Sequence, residues 1–168
     1  SIEALSATYD YVLLDTPPSL SLLTLNALCA AERLIVPLQC EYYALEGLSH
    51  LLATLDLVQA GLNPGLTLEG VLLTMFDRRN RLSFQVEADV RAYFGPSVFN
   101  TRIPRNVRLS ESPSYGKPAI LYDVAASGTL AYLDLADELT YLLESGLPYL
   151  NVVKIKPTDS PRRRLMGT

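Results

Sequence analysis

Short, continuous apolar stretches alternate along this chain with segments of helical spacing, and this alternation constrains the fold more than any other feature. Four of the apolar stretches have the composition of strands. They are Tyr11–Leu14, Leu34–Leu38, Leu68–Met75 and Val98–Ile103. The first two are continuous rather than alternating in polarity, as expected for parallel strands that are covered on both faces.

Segments with the 3.6-residue spacing of amphipathic helices separate these stretches. Apolar residues recur at this spacing from Leu48 to Val58, from Val86 to Tyr93 and from Tyr132 to Leu143, and Leu22 to Ala31 can form another helix. Strands that alternate with helices build right-handed βαβ units. The sequence therefore predicts an α/β fold with an open, mainly parallel sheet and helices on both faces.

Charge is sorted along the chain, although the net charge is only −4. Residues 1–77 carry nine acidic and one basic side chain, residues 78–117 carry three and eight, and residues 151–168 carry one and five. A polyanion-binding face on an acidic body would explain this distribution, and so would a solvated surface whose charges happen to cluster. We expect the domain over residues 1–147 and a basic, flexible tail over residues 148–168.

Several function classes are disfavoured by composition. No apolar run reaches the roughly 18–20 residues that cross a bilayer, and no secretory signal is visible, so a cytoplasmic protein is expected. Cys29 and Cys40 lie in apolar stretches and are expected to be buried, reduced thiols rather than disulfide or zinc ligands. His50 has no metal-ligand spacing, and Ser19 and Ser21 are expected to cap the following helix rather than act as nucleophiles.

One acidic residue, Asp15, directly follows the first predicted strand. Ligands of open parallel sheets bind beyond the carboxyl ends of the strands, and a nucleotide site needs a carboxylate there to hold the water shell of Mg²⁺. The next residues, Thr16-Pro17-Pro18-Ser19, cannot be helical, so we expect a stiff, extended loop past the position of a γ-phosphate. An isolated carboxylate at a strand end is more often a solvated loop residue or a helix cap.

Five ordered blocks resemble the ParA/Soj family of DNA-partition ATPases. They are YDYVLLDTPPS at 9–19, LLTLNAL at 22–28, VPLQCEYYALEGL at 36–48, EGVLLTMFDRRNRLSFQV at 69–86 and IPRNVRLSESPSYGKPAILYD at 103–123. The first three look like the Walker B and switch II region of that family. The MinD and nitrogenase-iron-protein branches share the fold but not the string PRNVRLSESPSYGKP.

The resemblance implies roles for individual residues. Asp15 matches the Walker B carboxylate that is associated with Mg²⁺ through water. Four residues fall where the family lines its adenine pocket, namely Met75, Pro104, Asn106 and Val107, and ordinary turn and strand packing is the alternative for them. Arg79 and Arg108 fall on positions that the family uses for sequence-independent DNA binding, with surface solubility or an intramolecular ion pair as the alternative.

The resemblance also implies an activity for the intact protein. Such proteins serve chromosome or plasmid partitioning, dimerise on binding ATP and Mg²⁺, bind non-specific DNA at the nucleoid, and hydrolyse ATP when a ParB/Spo0J-like partner stimulates them. Family members begin with a glycine-rich loop that carries Gly-Lys-Thr, whereas the only Gly-Lys here is Gly116-Lys117, followed by Pro118. We therefore expect the C-terminal part of a nucleotide-binding domain that lacks the P-loop, and neither tight ATP binding nor hydrolysis by this chain alone.

Two alternatives compete with this interpretation. A naturally truncated, non-enzymatic paralogue would bind DNA or a full-length family member without turnover. A MinD-like membrane ATPase would need an amphipathic C-terminal helix, which Pro157 and Pro161 disfavour, so no membrane contact is expected.

Overall fold

The computed structural model describes residues 9–17, 19 and 21–145 of the 168-residue chain. Its strands are β1 (Arg33–Gln39), β2 (Thr67–Phe76) and β3 (Val98–Pro104). Its helices are α1 (Leu22–Ala30), α2 (Ala44–Gly61), α3 (Arg81–Phe94), α4 (Val107–Glu111), α5 (Ala119–Tyr122) and α6 (Ser127–Ser145), with 3₁₀ turns at Gly95–Ser97 and Ser112–Tyr115. The predicted tail over residues 148–168 lies outside the described residues.

The three strands form one sheet in the order β1-β2-β3. β2 and β3 pair in parallel, with Val71 opposite Val98 and Leu73 opposite Arg102, and the register is irregular between Leu73 and Phe76. The predicted strands Leu34–Leu38, Leu68–Met75 and Val98–Ile103 are thus confirmed. So are the predicted helices, which correspond to α1, α2, α3 and α6.

The fourth predicted strand, Tyr11–Leu14, is wrong, because residues 9–17 form no strand in the described structure. Their apolar side chains are exposed instead, with Leu13 84% exposed. An apolar, β-prone stretch becomes a strand only where a neighbouring strand accepts and donates its ladder hydrogen bonds. Composition alone does not reveal whether such a neighbour is available.

The chain divides into two compact units, of which the first comprises residues 1–34 and 50–68. Its core contains Leu28, Leu55, Val58 and Leu66, to which α1 and α2 both contribute. Ser21 begins α1 as predicted, since its hydroxyl accepts from the Thr24 amide at 3.4 Å. Cys29 on α1 is exposed, so its predicted burial is wrong. The apolar residues around Cys29 in the sequence do not indicate which face of α1 it occupies.

The second unit comprises residues 35–49 and 69–168. One of its core clusters contains Leu72, Phe99, Ile103 and Ala131, which join the two parallel strands to α6. Gly70 is required in this packing, because a Cβ atom there would lie 2.7 Å from the Phe99 ring. Cys40 is buried, as predicted.

The outer side of β3 is covered by charged side chains rather than by another described strand. Glu138 of α6 accepts from the Asn100 amide at 2.7 Å and from the Thr101 amide at 2.9 Å. Arg91 of α3 donates to the Val98 carbonyl at 3.3 Å and to the Phe99 carbonyl at 2.9 Å. These contacts satisfy backbone groups that an exposed sheet edge would otherwise offer to another chain.

Candidate nucleic-acid interface

The turn after β2 positions Arg79. Asp77 accepts from the Arg79 amide at 2.9 Å, and Asn80 accepts from the Leu82 amide at 3.0 Å to begin α3. The guanidinium of Arg79 meets the same carboxylate with two nitrogens, at 3.2 and 3.3 Å. The Arg79 side chain is nevertheless 90% exposed. Its hydrogen bond holds the pKa of Asp77 below the ordinary value, and the carboxylate in turn raises the pKa of Arg79.

Arg108 lies in the first turn of α4. Asn106 caps this helix by accepting from the Arg108 amide at 2.8 Å. The Arg108 guanidinium donates to Glu111 at 3.1 Å and lies 3.4 Å from the Asp123 carboxylate. The hydrogen bond to Glu111 is the main cause that raises the pKa of Arg108.

Both predicted DNA-binding arginines are therefore surface cations held by intramolecular carboxylates. The ion-pair alternative raised from the sequence is present in the structure, but it does not exclude a second partner. Exposed pairs of this kind are weak and screened by salt. A guanidinium group that pairs with a carboxylate has the geometry to pair with a phosphate as well.

An open cavity of about 800 Å³ lies beside the turn after β2 in the second unit. Four arginines line it, namely Arg78, Arg79, Arg102 and Arg105, together with Asp77 and Asp134. Sequence reasoning singled out only Arg79 of these four. The clustering of basic residues over 78–117 was a signal for all of them, but the one-dimensional pattern cannot show which side chains converge on one cavity.

The four residues predicted to line an adenine pocket lie in different environments. Met75 adopts a left-handed backbone conformation, with φ of 52°, at the irregular end of the β2–β3 pairing. Pro104 lines the cavity, and Val107 is 70% exposed. Asn106 is occupied at both ends of its amide, because it caps α4 and donates to the Ser127 hydroxyl at 2.8 Å. A positive φ in a non-glycine residue costs free energy and is found preferentially at functional sites.

Asp15 belongs to the first unit and is exposed in the irregular segment 9–17. No group of three or more His, Cys, Asp or Glu side chains suited to a metal ion occurs in the described part of the chain. Gly116, with φ of 61°, ends the second 3₁₀ turn, and its amide donates to the Pro113 carbonyl. Gly116-Lys117 is thus part of the turn that ends this 3₁₀ helix.

Solved structures define the class of this fold. Cobyrinic acid a,c-diamide synthase from Mycobacterium smegmatis superposes with a TM-score of 0.70 at 36% identity, over 87% of this chain and 53% of that protein. The cell division ATPase MinD of Pyrococcus furiosus has the same fold, with a TM-score of 0.67 at 22% identity over 84% of this chain and 56% of its own. The chain therefore has the α/β fold of the MinD-like P-loop ATPases.

Sequence comparisons then identify relatives. A family profile described as an AAA domain matches residues 1–68. The chromosome partitioning protein ParA of Myxococcus xanthus is 53% identical over 98% of this chain, and the sporulation initiation inhibitor protein Soj of Bacillus subtilis is 58% identical over 83% of it. The alignments cover 54% and 55% of those proteins, so the chain spans about half the length of its relatives. The chain is thus similar to ParA and Soj proteins over about half of their length.

Within the described residues, no helix is both long enough and apolar enough to cross a membrane.

Proposed function

We propose that this chain carries the sequence-independent DNA-binding surface of a ParA/Soj-type partition ATPase, with Arg79 and Arg108 as phosphate-binding residues. The observation that carries the proposal is the state of these two side chains. Both are exposed guanidinium groups in the most basic stretch of the described chain, and the carboxylates that pair with them are themselves exposed or partly exposed. Hydrogen bonds to phosphate carry no sequence information, which suits a protein that binds DNA of any sequence.

In the intact protein, we propose, ATP with Mg²⁺ drives dimerisation, and a ParB/Spo0J-like protein stimulates hydrolysis at the nucleoid in the cytoplasm. Two relatives are named chromosome partitioning proteins, and the Mycobacterium smegmatis homologue has been solved with ADP and magnesium. Mg²⁺ bound beside a nucleotide neutralises phosphate charge. In the intact protein, Asp15 of this chain would contribute one carboxylate to the water shell of that Mg²⁺.

The adenine base would lie against Met75, Pro104, Asn106 and Val107. The exposed Val107 side chain offers an apolar contact, and the strained backbone at Met75 fits a position fixed for a ligand. Because the Asn106 amide already bonds within the chain, its contribution would come through the backbone or through fixing α4.

The test is DNA binding by protein that contains the whole 168-residue chain, with ATP and Mg²⁺ present. The double variant Arg79→Ala/Arg108→Ala should weaken binding about equally for unrelated duplexes. The slope of log affinity against log salt should flatten by roughly one unit for each phosphate-binding arginine that is removed. Unchanged affinity and slope would move the DNA site elsewhere.

The matched control is Arg81→Ala/Lys117→Ala. Like the test variant, it removes two positive charges from this basic stretch of sequence, and both side chains are exposed. A decrease in affinity equal to that of the test variant would show that net charge, rather than these two arginines, governs binding.

A further inference from the structure

We propose that the arginine cavity of the second unit seats DNA phosphate, with Arg78 and Arg105 as additional phosphate-binding residues beside Arg79. This inference rests on the proposed function, since Arg79 belongs to both. It extends that function from two matched positions to a cavity whose lining was not evident from the sequence.

Arg78 and Arg105 are the cavity arginines most available to a ligand. Arg78 is exposed and forms no ion pair with any described residue. Arg105 lies 3.5 Å from Glu41, and the two side chains are 57% and 60% exposed. An ion pair that is long and exposed on both sides holds the arginine weakly, so an incoming phosphate can replace the carboxylate.

Arg102 is different, although it lines the same cavity. Its guanidinium lies 2.8 Å from the nearly buried Glu87 carboxylate and 5.2 Å from the centre of the Phe76 ring. Both interactions fix the side chain, and the Glu87 carboxylate, which Arg102 shares with Arg91, holds the guanidinium against the cavity wall. We therefore assign Arg102 to the packing of the cavity wall and not to the ligand.

Phosphodiester is favoured as the ligand by the size and charge of the cavity. At about 800 Å³ and open to solvent, the cavity is far larger than a phosphate group, so it suits a segment of a continuous backbone. Its four arginines outnumber its two aspartates, Asp77 and Asp134. Asp77 is neutralised by Arg79, whereas Asp134 has no ion pair with any described residue and opposes an anionic ligand.

The experiment measures the affinity of two unrelated duplexes by fluorescence anisotropy over a range of salt concentrations. The protein contains the whole chain, with ATP and Mg²⁺ present. Arg78→Ala and Arg105→Ala should each flatten the salt slope by roughly 0.9. Arg81→Ala, which removes the same charge three residues away, should change it by clearly less. Asp134→Asn should tighten binding to both duplexes. Thermal melts confirm folding, and Arg78→Lys, which keeps the charge, should restore most of the slope.

Three results would overturn the inference. If Arg78→Ala and Arg105→Ala behave like Arg81→Ala while Arg79→Ala/Arg108→Ala weakens binding, the cavity is not a DNA seat but the proposed function stands. If none of these variants changes binding, both the cavity assignment and the proposed function are wrong. If inorganic phosphate or a mononucleotide displaces DNA from the parent protein at matched ionic strength, but not from the Arg78 and Arg105 variants, the cavity takes a small free anion instead.

Discussion

Glu87 is the described charged side chain on which the second unit should depend most. It is only 7% exposed, and its carboxylate lies 2.8 Å from both Arg91 and Arg102. Arg91 in turn donates to the carbonyls of Val98 and Phe99, so the carboxylate orients a group that covers the outer side of β3. Replacing Glu87 by Gln keeps the volume but removes the charge.

The magnitude follows from the two contacts of the Glu87 carboxylate, a hydrogen bond from Arg91 and an ion pair with Arg102. A contact with a charged group contributes roughly 1.5–3 kcal/mol and a neutral hydrogen bond about 0.5–1.5 kcal/mol, so the loss of the charge weakens each contact by about 1 kcal/mol. The arginine side chains are 30% and 41% exposed, so water offsets part of this effect. We expect Glu87→Gln to lower the free energy of unfolding by about 1.5 kcal/mol and the melting temperature by roughly 3–6 °C.

Urea unfolding followed by far-ultraviolet circular dichroism, at one low protein concentration, measures this effect. The control is Asp89→Asn on the same helix, which removes the same charge from a residue with no ion pair among the described residues, and it should stay within about 0.5 kcal/mol of the parent. A Glu87→Gln variant as stable as that control would refute the reasoning. A second readout is the Cys40 thiol, whose pKa should fall in the Glu87→Gln variant because the carboxylate helps to raise it.

Four further outcomes are expected of the chain itself. The purified 168-residue chain should hydrolyse ATP no faster than a buffer blank; saturable turnover that Asp15→Ala abolishes would contradict this. The exposed apolar segment Tyr11–Leu14 should make the chain self-associate, or gain stability from a polypeptide that pairs with this segment as a strand. A monodisperse monomer in light scattering, with a melting temperature that the polypeptide leaves unchanged, would contradict this. A thiol reagent at pH 8 should label the exposed Cys29 well before Cys40, because burial raises the pKa of Cys40 to about 11. Equal labelling rates for the two thiols would contradict the burial of Cys40. Since its folded pKa exceeds the ordinary value of 9.0, the Cys40 thiol should stabilise the fold fully below pH 9 and progressively less up to about pH 11.

The sequence was sufficient for elements whose pattern is repeated over many residues. The strands β1, β2 and β3 and the long helices carry continuous apolar runs or a 3.6-residue period, which report burial directly. α4 and α5, with five and four residues, are too short to show a period and were not predicted. Tyr11–Leu14 failed for a different reason, since a strand depends on a partner that its own sequence does not specify.

The candidate site was predicted only in part for a related reason. Arg79 and Arg108 were identified from the resemblance and from the clustering of basic residues. Their carboxylate partners, Asp77 and Glu111, are two and three residues away in sequence. The distances between the charged groups depend on the backbone of the turn after β2 and of α4, which the sequence does not give. The convergence of the β2 turn, β3 and α6 on one cavity depends on strand pairing, which composition does not encode.

The central claim, that this chain carries a sequence-independent DNA-binding surface, is tested most directly by comparing two duplexes of equal length and unrelated sequence. Protein containing the whole chain, with ATP and Mg²⁺, should bind both with the same affinity. Log affinity should fall linearly with log salt concentration for both, with one shared slope that corresponds to several neutralised phosphates. The absence of binding at low salt, or a strong preference for one sequence that persists at every salt concentration, would contradict the account.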